Sequence, residues 1–133
     1  MPQFVLDHGS TDGVTVFNAL DAFTQGYVTA MFWTEEDELD GATFEELDPE
    51  SLQTIITDCQ LFQRFNHVDL DAYETAGRDL EHAGHDFWLT RNGHGTGFWD
   101  RGMGELGERL ANASRIYGEA YVYLGTDGLV YHG

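Results

Sequence analysis

The 133-residue chain carries 24 acidic side chains against six basic ones, every base an arginine, for a formal net charge of −18. With 41% hydrophobic and 14% aromatic residues, residues 1–133 hold enough packing material for a single folded domain and too much for a disordered chain. The composition excludes a transmembrane helix, since no apolar run approaches ~20 residues. The charge argues against direct binding to nucleic acid or to an anionic membrane.

The charge is also unevenly spread. Residues 1–63 hold 13 acids and no base, whereas residues 64–133 hold 11 acids and all six arginines. Such a field serves solubility and attracts basic surfaces, including grooves built to hold DNA or RNA. The opening MPQFVLDHGSTDG has no basic segment followed by a long apolar one, so no signal peptide is expected. Cys59 is the only cysteine, which rules out an intrachain disulfide and fits a reducing, cytoplasmic setting.

In chain order, Phe4, Val5 and Leu6 suggest a short strand before the turn-rich HGSTDG. Over residues 16–33, Phe17, Leu20, Phe23, Tyr27, Val28 and Met31 follow helical spacing, with Gly26 interrupting at a cost of about 1 kcal/mol. Residues 35–50 hold nine acids and no base and read as an exposed loop anchored by Phe44 and Leu47. Asp48, Pro49 and Glu50 then mark a strong helix start. Its apolar stripe is Leu52, Ile55, Ile56, Cys59, Phe62 and Phe65, and Asn66 is the stop. A weaker helix is expected over residues 69–82, with Gly84 just past its end.

Residues 85–91 and 96–101 are rich in aromatic and β-branched residues and flank Asn92-Gly93, a strong hairpin signal. A two-residue turn pairs Trp88 with Gly97, and a four-residue loop pairs Trp88 with Trp99. Either hairpin puts Arg91 and His94 at its tip. Met103, Leu106, Leu110, Ala113 and Tyr117 mark another helix, ended by Gly118, and residues 121–124 and 129–132 flank Thr126-Asp127-Gly128 as a second hairpin. The expected fold is α+β, an antiparallel sheet of two hairpins with two to four helices packed against one face.

No cofactor or metal is expected. Gly102, Gly104 and Gly107 spell GxGxxG, but Glu105 stands where a pyrophosphate would sit and no parallel βαβ unit follows. Glu81, His82, His85 and Asp86 resemble metal ligands without the spaced second pair of a structural zinc site. No spacing specifies a reaction, so an enzyme is not the favoured reading. The catalytic candidates are His94 and Arg91, an acid/base and an anion-holding group at the predicted hairpin tip.

The run AGHDFWLTRNGHGTGFWDRG, with LGERLANASRIYG and YVYLGTDGLVY after it, resembles a family of small proteins encoded mainly by bacteriophages and prophages. The resemblance is strong over residues 83–131 and looser over residues 16–65. It implies a setting, a phage gene product in a bacterial cytoplasm, and carries over no catalytic residue. Setting and charge together suggest a binding or inhibitory protein that imitates DNA at a basic surface of a host defence or nucleic-acid-handling protein. Glu35, Glu36, Asp37, Glu38, Asp40, Glu45, Glu46 and Asp48 are the expected contact residues. The alternatives are a small enzyme or ligand-binding module using His94 and Arg91, and a structural or regulatory protein acting by self-association. Sequence leaves monomer and homodimer open.

Overall fold

The computed structural model describes residues 13–133; the strand expected at residues 4–6 lies outside them. Six helices lie in chain order: α1 (Gly13–Ala19), α2 (Ala22–Thr34), α3 (Pro49–Phe65), α4 (His67–Thr75), α5 (Leu80–Arg91) and α6 (Glu105–Arg115). Short 3-10 turns at Phe44–Glu46 and Phe98–Asp100 interrupt the loops, and a two-stranded antiparallel sheet, β1 (Val122–Leu124) and β2 (Val130–His132), closes the chain. The α+β expectation holds as a mostly helical domain with one small sheet.

The centre of the molecule is the pair α2 and α5. Their backbones touch at two reciprocal notches. A Cβ on Gly26 would stand 1.9 Å from the carbonyl oxygen of Glu81, and one on Gly84 would stand 1.9 Å from that of Phe23. Gly26 therefore permits a contact that alanine would block. Around this pair, the rings of Phe23, Phe87 and Phe98 gather about that of Phe62, with Phe62 and Phe87 stacked 4.3 Å apart. Trp88 is fully buried and donates its indole N–H to Thr34 Oγ1 at 2.8 Å.

Two expected helices are divided by local chemistry. The one over residues 16–33 breaks at Asp21, whose carboxylate accepts the Thr24 N–H at 2.8 Å and starts α2 afresh. The one over residues 69–82 breaks after Ala76, and Asp79 begins α5 by accepting the His82 N–H at 2.9 Å. By contrast, α3 starts at the Asp48 cap and ends before Asn66, as its sequence indicates. The terminal hairpin also forms in the expected place, with Tyr123 opposite Tyr131.

The first expected hairpin does not form. Residues 85–91 are the second half of α5, and residues 96–101 are a loop containing the 3-10 turn. Every residue from Asp86 to Arg91 is buried, so α5 shows no alternation of apolar and polar faces, and its aromatic run imitates a strand. The Asn-Gly pair serves helix termination instead. Gly93 takes a φ of 68°, its N–H donates to the Thr90 carbonyl at 3.2 Å, and the His94 N–H reaches back to Leu89 at 3.0 Å. These two bonds make a Schellman cap, which uses the same left-handed glycine that a tight hairpin turn needs.

Candidate functional site

Most polar residues of the Ala83–Gly102 run are committed to holding the helices together. Asp86 is fully buried on α5 and takes a forked contact from Arg101, at 3.1 Å from Nε and 2.7 Å from Nη2. It also accepts the Tyr73 hydroxyl at 2.8 Å, and that hydroxyl accepts Arg78 Nε at 3.0 Å. The Asp86 bonds hold the Arg101 guanidinium above its ordinary pKa. Burial, reinforced by Asp86, pushes the Tyr73 hydroxyl well up. Of the metal-like cluster, Asp86 thus faces Tyr73 and Arg101, while His82 Nδ1 sits 2.7 Å from Asp79.

Arg91 stands on no hairpin tip. It is 7% exposed at the end of α5. Its Nε donates to the Gly118 carbonyl at 2.9 Å and its Nη2 to the Tyr117 carbonyl at 3.0 Å. Its Nη1 donates to Tyr27 at 3.1 Å and to Asp58 at 3.0 Å. The chain of contacts continues from Tyr27 to His132 Nε2 at 2.7 Å. The Tyr27 hydroxyl thus accepts from Arg91 and shares a hydrogen bond with the imidazole of His132. Burial, aided by the Arg91 charge, lowers the pKa of His132 to about 4. Burial also pushes the Tyr27 hydroxyl and the Cys59 thiol up, so both stay protonated. This network joins α2, α3, α5, the α6–β1 loop and β2, and the Arg91 guanidinium is occupied by it.

The acidic segment is a compact turn rather than a loose loop. Leu39 is fully buried and its N–H returns to the Glu35 carbonyl at 3.0 Å, so the chain folds back around a sequence anchor that composition hides. The eight acids named from sequence then divide. Glu46 accepts the Thr43 N–H at 2.8 Å in a capping box, and Asp48 caps α3 through the Ser51 N–H at 2.9 Å. Glu45 lies against Gly13. Glu36, Asp37 and Asp40 are exposed. Glu35 and Glu38 line a groove.

That groove, of about 600 Å³, brings together the two features that sequence kept apart. Glu35 and Glu38 share its lining with Asn92 and His94 from the α5 cap, and with Glu119, Ala120, Tyr121 and Val122 from the approach to β1. Asn92 ties these segments, donating from Nδ2 to the Trp88 carbonyl at 2.9 Å and accepting the Ala120 N–H at 2.8 Å. His94 is half-buried, held by its backbone bond to Leu89. Three carboxylates, an imidazole and the exposed ring of Tyr121 suit a cationic group with a flat face, such as a guanidinium.

Sequence reasoning missed Glu119 and Tyr121, whose place in the groove depends on where the α6–β1 loop runs. It also missed Asp58 as the partner of Arg91, because the two lie 33 residues apart. No protein-family profile, curated protein or solved structure gives a significant match to the chain. Among the described residues, no helix is long and apolar enough to cross a membrane.

Proposed function

We propose that the chain is a non-catalytic binding protein that docks its acidic groove on a basic surface of a partner protein. The observation that carries this reading is the convergence of Glu35, Glu38 and Glu119 on His94 and Tyr121 in one groove, on a chain of net charge −18. Such a field accelerates encounter with a basic partner and repels phosphate backbones. The phage resemblance sets the proposal in an infected bacterium. There the partner is a host defence or nucleic-acid-handling protein, and the chain inhibits it by occupying the groove meant for DNA or RNA. Arg91 takes no part, since its donors serve the core.

The test compares immobilised wild-type chain with the Glu35→Gln/Glu38→Gln variant in bacterial extract. Wild type is expected to retain a protein that itself binds nucleic acid, to release it to duplex DNA, and to lose it at high salt. The variant should retain at least about tenfold less, the equivalent of about 1.4 kcal/mol spread over two carboxylates. A retained partner that duplex DNA does not displace rules out imitation of DNA. Equal retention by both proteins rules out the groove.

A further inference from the structure

Among the described residues, one edge of the terminal hairpin is covered and the other is bare. Tyr121 and Gly133 exchange both of their backbone bonds, at 3.1 and 2.9 Å. Tyr123 and Tyr131 are therefore the next bonded pair, and the backbone groups of Val122 and Leu124 point away from β2. On the β2 side the corresponding outward groups are met by the start of α3. The Asp48 N–H donates to the Val130 carbonyl at 2.9 Å, and the His132 N–H donates to Ser51 Oγ at 3.0 Å. On the β1 side, no described residue outside the hairpin bonds the outward groups of Val122 and Leu124.

The Val122 end of this edge opens on the acidic groove, whose lining includes Ala120, Tyr121 and Val122 together with Glu35, Glu38 and Glu119. The groove therefore offers strand-pairing groups and carboxylates side by side. On the outer face of the hairpin, Tyr121, Tyr123 and Tyr131 stand in a row with ring centres 5.5 and 5.4 Å apart. Tyr121 and Tyr123 are exposed, 69% and 44% respectively.

We propose that an extended, arginine-bearing segment of a partner protein adds to β1 as a third strand in this groove. Its backbone pairs with Val122 and Leu124, and its guanidinium groups meet Glu35, Glu38 and Glu119. The inference rests on the basic-partner reading above and specifies the form the partner takes. Charge selects this occupant over the two that the chain itself offers. A second copy would bring the same carboxylates edge to edge, and residues 1–12 carry Asp7 and Asp12 with no base.

The probe is a labelled peptide of about eight residues alternating arginine and threonine, compared with the same peptide N-methylated at alternate amides. Methylation keeps the charge and removes the strand-forming donors. The parent peptide is expected to bind with an affinity that falls with salt, and the methylated one at least about tenfold more weakly. Hydrogen exchange at Val122 and Leu124 should slow in the parent complex. Equal binding of the two peptides, or unchanged exchange at those amides, overturns strand addition and leaves acidic docking standing. So does failure of the parent peptide to bind while a captured partner still depends on Glu35 and Glu38. A dimer in sedimentation, with Val122 and Leu124 protected in the absence of peptide, overturns the proposal in favour of self-pairing.

Discussion

At the scale of single residues, the polar side chains that look most chemical are the ones most deeply built in. His132 shows what that costs. In the folded chain its pKa falls to about 4, whereas the unfolded imidazole titrates near 6.5. Between those values the unfolded state binds a proton that the folded state refuses, so stability rises with pH across the window and is lost as pH drops through it. The separation corresponds to about 3 kcal/mol at full extent. Arg91 and Asp58 are the charged groups that bear on the imidazole, and Arg91 opposes protonation. Urea unfolding followed from about pH 7 to about pH 4 should show this loss. The His132→Gln variant should be less stable at neutral pH but flatter across the window, and an unchanged slope would mean that other groups carry the acid sensitivity.

At the scale of elements, the deciding contacts are backbone to backbone. Gly84→Ala gains about 1 kcal/mol of helix propensity, yet its new methyl would stand 1.9 Å from the Phe23 carbonyl. The α2–α5 pair must separate, and the net effect is a loss of about 1–3 kcal/mol in urea unfolding. Gly84→Ala as stable as wild type would show that the two helices do not lie this close. The same glycine explains why α5 was illegible. Sequence patterns reveal elements with one wet face, and so α3, α6 and the terminal hairpin were readable from capping residues and periodicity. Buried without a break from Asp86 to Arg91, the second half of α5 shows neither period, and its Asn-Gly cap and aromatic run speak the dialect of strands. The acidic residues were legible as a cluster. Their division into caps and groove-lining residues was not, because it depends on Leu39 turning the chain and on Asn92 reaching Ala120.

At the scale of the whole molecule, stability and recognition should answer to salt in opposite directions. Six arginines cannot balance 24 acids, and the Arg91–Asp58, Arg101–Asp86 and Arg109–Asp69 pairs engage three of them. The unmatched carboxylates repel one another across a small body, which destabilises the compact state when screening is weak. Raising NaCl from about 0.02 M to about 0.5 M shortens the screening length from roughly 20 Å to roughly 4 Å. Relief of about 1 kcal/mol of self-repulsion should lift Tm by about 4 °C in a chain of this size. The same screening should weaken attachment of a basic peptide to the groove, since Glu35, Glu38 and Glu119 act there as partly solvated charges. Thermal unfolding and peptide titration in one salt series therefore separate two roles of the acidity. If Tm rises while binding holds constant, the groove does not recognise its partner by charge. If binding falls while Tm stays level, the carboxylates are spaced widely enough to spare the fold, and their cost is confined to the surface that meets the partner.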